Sequence, residues 1–460
     1  MEKLKALSIL SLAALFFTLS APALAAPPED FRAEAVYLSD ASTGETLYEK
    51  NADVRRGPDA LVKIMTLLLA AEAVERGEVS RSELITASDS AFFDIKGDVA
   101  SRSIASGETL PFIDLLYCAF IGGYDEACNI IAERVSGNSP DFIEAMNERA
   151  AALGCENTRF VNTHGALSDA QYSTARDLSI IVREASKNAL FTEVSTALSY
   201  TVRETNSSPA RRLVSVNYML VETRARYYYK YAVFGRTSAT YENGYGCVEL
   251  AEREEFSAVA VVLGAAAVIL EDESTEMQNL TETRRLFEWG FANYTRRAVL
   301  SSTELVARAE VAFGSGADYV NLRPDRDISL LLPVELPENE LTRGITIYSD
   351  AAGAAVSAPV AAGDVLGEIT ISRGGEIIAR AELVADASVP LLHAKFIRQR
   401  VTDALGSRWA KIVIIVAAVL FLGYVIIVVR YNILRARRVR QMNDAKQRIA
   451  DNRRRSNRED

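Results

Sequence analysis

The stretch Pro58-Asp59-Ala60-Leu61-Val62-Lys63-Ile64-Met65-Thr66 is where the pattern of the chain turns from strand alternation to helical period. Pro58 and Asp59 suit a first turn, and an apolar face continues through Leu67, Leu68 and Ala71, which predicts a helix over 58–76. Residues three apart on a helix lie one above the other, so Ala60 and Lys63 share a face. A hydroxyl followed at that spacing by a lysine makes a nucleophile and a group that takes its proton. Ala60 offers a methyl, which cannot attack a carbonyl. No lysine in the chain has a serine three residues before it, so the pair is not supplied elsewhere. Lys63 then reads as a vestige, or as an ordinary helix lysine running its stem along the apolar face.

Working outward, residues 33–47 alternate around Ser42-Thr43-Gly44-Glu45 and predict a two-stranded hairpin. Helical patterns return at 111–120, 125–135, 140–153 and 173–187. Strand-like runs occupy about Val233 to Gly264, and a helix from about Met277 to Tyr294 closes this body. Beyond 300, short apolar runs (Ile328–Leu332, Ile345–Tyr348, Val365–Ile371, Glu376–Val384) alternate with Gly, Pro, Asn and Asp, the texture of a small all-β domain.

The ordered series Asp40–Asn51, the Pro58 helix, Glu108–Asn129, Phe142–Asn147, Asn157-Thr158-Arg159-Phe160, Asn162-Thr163-His164-Gly165 and Ser173–Leu178 resembles the D-alanyl-D-alanine carboxypeptidases, the low-molecular-mass penicillin-binding proteins. Ala358-Pro359-Val360 to Leu383-Val384-Ala385 resembles their β-rich second domain. The resemblance implies an α/β fold, a transpeptidase/β-lactamase-like body of helices around an antiparallel sheet with a small all-β domain; to this the apolar run Ile412–Val429 adds a C-terminal transmembrane helix. The resemblance implies no cofactor.

In that family a serine-x-asparagine motif faces the active-site helix, its serine joining the proton relay and its asparagine holding the substrate amide. The matching stretch here is Gly122-Gly123-Tyr124, without either side chain. A lysine-threonine-glycine motif on a strand edge holds the substrate carboxylate; here it reads Arg236-Thr237-Ser238. Arginine can grip a carboxylate with two parallel hydrogen bonds, whereas Ser238 adds a side chain where the substrate backbone should approach. Ala60, Lys63, Gly122 and Tyr124 are therefore vestigial catalytic positions, and Arg236, Thr237 and Ser238 the candidate ligand contacts, with a surface strand pair as the bland alternative. His164, in the Asn-x-His-Gly turn, reads as structural. Tyr124 and Tyr227-Tyr228-Tyr229 line the cleft or pack the body. Cys118 has no base beside it in sequence and reads as a packed core thiol.

Lys3 and Lys5, the apolar run Ala6–Leu19 and Ala23-Leu24-Ala25 form a signal peptide over 1–25. The remaining boundaries are a body over 26–299, a β-rich domain over 300–390, a linker helix over 391–411, a transmembrane helix over 412–429 and a basic tail over 430–460. Ile412–Val429 carries no charge, with Trp409 and Tyr431 at the interfaces. The tail has eleven Lys/Arg against four Asp/Glu in a chain of net charge −10, so the exported part is strongly acidic. That balance disfavours nucleic acid as a partner; the tail either flanks the membrane or touches anionic lipid or a cytosolic partner. The four cysteines and two histidines show no metal-ligand pairing, and a Cys118–Cys128 disulfide is left open. The expected function is non-catalytic, binding peptidoglycan stem peptides or scaffolding cell-wall enzymes at the outer face of the cell membrane. The alternative is a weak or altered serine-type D-Ala-D-Ala carboxypeptidase. Protease added to intact, wall-stripped cells should remove the body and spare the tail; digestion of the tail under those conditions would reverse the topology.

Overall fold

A computed structural model of the chain describes residues 28, 30–95, 103–271, 273, 275–349 and 355–456, so the leader read at 1–25 lies outside the described residues. The chain divides into two compact units, one running to Val299 and taking in Ser329–Glu338, the other comprising Leu300–Ile328 and the chain from Asn339 onward.

The first unit is built on a five-stranded antiparallel sheet. Its strands are β1 (Ala35–Asp40), β2 (Thr46–Lys50), β3 (Ala232–Thr240), β4 (Gly244–Arg253) and β5 (Phe256–Ala265), in the order β2-β1-β5-β4-β3. The two central strands, β1 and β5, are apolar almost without interruption because both their faces are covered. Alternate side chains feed different cores. Tyr37, Val259, Val261 and Leu263 point into the larger cluster, while Val36, Leu38, Ala260 and Val262 point into the second.

The larger core is capped by α1 (Lys63–Glu75), α2 (Phe112–Phe120), α3 (Asp125–Ser136), α4 (Ser139–Ala152) and α5 (Ala175–Ala185). Helix α1 is buried nearly all round, from Ile64 and Met65 through Leu67, Leu68 and Ala71, so it is a central helix. The second core lies under α6 (Gln278–Asn293), which contributes Leu280, Leu286, Phe287 and Phe291. Tyr227 and Tyr229 belong to this core, Tyr229 stacking on Phe287 at 5.8 Å. They pack the body and do not line the cleft.

One expected helix start moves. A 3-10 turn covers Asp59–Val62, and the α-helix begins at Lys63, not at Pro58. Asp59 has φ +46°, a left-handed conformation that α-helix does not contain. The linker helix read at 391–411 appears as α7 (His393–Gly406), ending at extended Ser407. The second unit has a six-stranded sheet formed by β6 (Ala307–Ala312), β7 (Tyr319–Pro324), β8 (Leu341–Ile347), β9 (Val356–Ser357), β10 (Val365–Arg373) and β11 (Glu376–Ala385), in the order β8-β10-β11-β7-β6-β9. Leu322, Ile369, Ala381 and Leu383 form its core. Helix α8 (Arg408–Ser456) contains a segment long and apolar enough to cross a membrane.

A buried acid sits beneath the sheet edge that leads to the third motif. Glu249 on β4 is fully buried; Asn217 Nδ2 donates to its Oε2 at 2.7 Å, and among the described residues its Oε1 has no hydrogen-bond partner. Its carboxyl occupies the space over Gly235, where an added Cβ would stand 1.9 Å from Oε2. Gly235 is thus a site of close approach, immediately before Arg236. Burial pushes the Glu249 pKa up to about 8. The unfolded chain releases this proton near the ordinary glutamate value while the folded one retains it. Stability contributed by the neutral acid is therefore complete below pH 4.5 and lost as pH rises through 8. Glu249→Gln should flatten that fall and stabilise the protein at pH 8 by at most on the order of 4 kcal/mol, read as a higher melting temperature. Parallel pH dependence in thermal unfolding of the two proteins would refute it.

Candidate functional site

The three motif segments meet. Ala60 lies in the 3-10 turn before α1, Gly122-Gly123-Tyr124 in the short connection between α2 and α3, and Arg236-Thr237-Ser238 on β3. What joins them differs from the chemistry their positions imply.

Lys63 is buried, and its amine is fully engaged. Nζ donates to Asp125 Oδ1 at 2.5 Å and to the His164 carbonyl at 2.5 Å. The amine is held as a paired cation at the foot of α3. His164 sits between two carboxylates, Nε2 lying 3.1 Å from Asp94 Oδ2 and Nδ1 3.9 Å from Asp125 Oδ2. The hydrogen bond from His164 holds the Asp94 carboxyl below its usual range, against burial. Asn129 Nδ2 donates to the other Asp94 oxygen, and Thr163 Oγ1 to Asn129 Oδ1. Two polar groups thus flank the His164 ring, Lys63 with Asp125 on one side and Asp94 with Asn129 on the other, with neither a serine nor a cysteine in them; His164 bonds only the second, its Nδ1 being too far from Asp125 for a hydrogen bond.

The turn that supplies the His164 carbonyl presses against the first motif. Gly165, at φ +97°, brings its α-carbon so close that an added Cβ would stand 2.0 Å from the Asp59 carbonyl oxygen. Asp59 is buried, and its carboxylate accepts from Asn243 Nδ2 at 2.7 Å and Thr240 Oγ1 at 3.0 Å. Burial raises its pKa despite these bonds. Asp59 therefore clasps the β3–β4 turn to the residue before Ala60.

At the second motif, an added Cβ on Gly122 would stand 2.8 Å from the Cys118 carbonyl oxygen and 3.1 Å from the Tyr124 ring. No side chain enters there without a shift. Tyr124 packs half-buried against the larger core.

At the third motif, Arg236 is only 4% exposed. Its Nε donates to the Ala60 carbonyl at 3.2 Å, Nη1 donates to the Phe120 carbonyl, and the guanidinium lies 5.4 Å over the Phe120 ring. Burial pulls its pKa down to about 10. The side chain expected to reach for a ligand carboxylate is turned into the protein. Thr237 is half-buried. Ser238 pairs with Gly246, and its Oγ fills the space a side chain on Gly246 would need.

All four cysteines are buried and unpaired, so Cys118 and Cys128 form no disulfide. Burial pushes the Cys118 thiol up to about 12 and Cys128 to about 11, far from the thiolate a nucleophile needs. Asp125 and Asp94 were invisible as site residues in the sequence. The signal lay in Asp125 directly after the second motif, where an acid also serves as an ordinary first-turn helix residue.

The Lys63–Asp125 pair has one buried partner and one that is 47% exposed, so its coupling falls between the limits for buried and surface pairs. In a double-mutant cycle, Asp125→Ala should destabilise the wild type by about 1–2 kcal/mol more than it destabilises Lys63→Met. Equal losses in denaturant unfolding would show the two side chains to be independent.

Comparison with known proteins is consistent with this frame. Residues 21–267 match the family described as D-alanyl-D-alanine carboxypeptidase, and residues 294–391 match the penicillin-binding protein 5 C-terminal domain. D-alanyl-D-alanine carboxypeptidase DacA from Escherichia coli is 28% identical over 364 residues, covering 78% of this chain and 84% of its own length. DacF from Bacillus subtilis is 26% identical over 353 residues, covering 77% and 85%. Among solved structures, penicillin-binding protein 5 from Haemophilus influenzae superposes with a TM-score of 0.61 at 24% identity, covering 79% of this chain and 99% of that one. The family match spans more than half of the chain, and with it the turn bearing Ala60, the Lys63–Asp125 pair and the inward Arg236: the chain belongs to the D-alanyl-D-alanine carboxypeptidase family of penicillin-binding proteins.

Proposed function

We propose that the chain is a non-catalytic member of this family, exported and held in the cell membrane by α8, with its body outside and its basic tail in the cytoplasm. Its work is to scaffold cell-wall enzymes or to bind peptidoglycan stem peptides. The observation that carries this reading is the pairing of a methyl at position 60 with an amine already neutralised by Asp125 and capped by the His164 carbonyl. An amine so held has no hydroxyl beside it to deprotonate and is turned to other partners. In a serine hydrolase, loss of the nucleophile alone costs about a millionfold in turnover, and two further motifs differ here.

Between the two non-catalytic roles, the burial of Arg236 favours scaffolding, because a carboxylate grip requires a guanidinium edge open to the ligand. The second reading, a weak or altered carboxypeptidase acting on pentapeptides, draws on the relatives' activity. It needs a nucleophile, and the high pKa of the Cys118 and Cys128 thiols speaks against cysteine in that role.

The purified protein incubated with fluorescent penicillin should show no mass increase on intact-protein mass spectrometry. A stoichiometric adduct would restore the enzyme.

A further inference from the structure

We infer that Arg236 is an internal strut that ties the three former catalytic segments together and closes the cleft to peptide. The inference rests on the non-catalytic reading and chooses between its two roles.

One side chain on β3 donates to main-chain oxygens on two other elements, Ala60 before α1 and Phe120 at the end of α2. Its remaining nitrogen, Nη2, lies 3.5 Å from where a Cβ on Gly123 would be. The guanidinium therefore spans the space between the three segments, with Ala60 and Gly123 facing it. Arginine is required for this geometry. Its planar fork reaches two acceptors at once in fixed directions, whereas a lysine ammonium is a single point on a flexible stem. The methyl at position 60 and the arginine at 236 thus belong to one arrangement, in which the residue 60 carbonyl accepts from the guanidinium. The Asp59 clasp on Thr240 and Asn243 fixes the same strand at its far end, so β3 is pinned at both sides of Ser238.

A carboxylate entering this site would have to displace two carbonyl acceptors from a guanidinium that is already desolvated. The cleft is thereby closed to D-alanine-terminated peptides, which favours the scaffolding role.

Hydrogen–deuterium exchange on the full chain in detergent micelles tests this. Arg236→Met should speed exchange by about tenfold or more together in segments 59–63, 118–124 and 233–239. Arg236→Lys, which keeps length and charge, should do so less and covers the case that the methionine variant does not fold. Diacetyl-L-lysyl-D-alanyl-D-alanine at millimolar concentration should leave the wild-type exchange unchanged. Two results would overturn the strut: unchanged exchange at 59–63 and 118–124 in both variants, or tripeptide protection of the wild type that Arg236→Lys abolishes. Penicillin acylation of the wild type would overturn the non-catalytic reading while leaving the exchange pattern of the variants as it is, so the two ideas fail separately.

Discussion

A primary amine buried beside the central helix sets the terms for the rest of the first unit. Placing the Lys63 ammonium where water barely reaches it demands compensating oxygens at close range, or the cation could not be held. Those oxygens come from Asp125, which fixes the start of α3, and from the His164 carbonyl, which fixes the Asn-Thr-His-Gly turn. The turn in turn brings Gly165 against the Asp59 carbonyl, and Asp59 fixes the end of β3. Helix, turn and strand are thus placed in succession from one charge. The same lysine that serves chemistry when a hydroxyl stands one turn before it serves architecture when none does.

The polar interior is also where most of the distinctive physical cost lies. Arg236, Glu249, Asp59 and Lys63 are all buried ionisable groups within the body, and each is handled differently. Lys63 has a carboxylate, Arg236 has carbonyls and an aromatic face, Asp59 has two side-chain donors, and Glu249 keeps its proton. Lys63 and Arg236 each hold main-chain carbonyls of neighbouring elements, which no apolar side chain could do.

Much of this was legible beforehand. The order of the helices, the hairpin at 33–47 and the β-rich second domain follow from period and punctuation, and the loss of the nucleophile is a single letter at position 60. Three things were not. The left-handed Asp59 leaves no mark in a helical pattern, because an acid near a helix start looks like an ordinary first-turn residue. The inward direction of Arg236 leaves no mark because strand alternation gives the face a residue occupies but not whether solvent or another element lies opposite. Tyr227 and Tyr229 read equally well as cleft or core, and only the position of α6 over them decides.

Helix α8 continues without a break from Arg408 to Ser456, well past the apolar segment. At 1.5 Å per residue, the part beyond Val429 reaches roughly 40 Å. Set in a bilayer, it is a stiff rod standing off one surface, with Arg435, Arg437, Arg438 and Arg440 along its first turns. Rotation or piston movement of the span is delivered to the far end of that rod, because the helix offers no joint at the membrane. The joint lies on the other side, at extended Ser407, where α7 meets α8. The extended residue at Ser407 separates α7 from the rod, so the apolar segment and the shaft beyond it form one continuous piece that the chain before Ser407 need not follow.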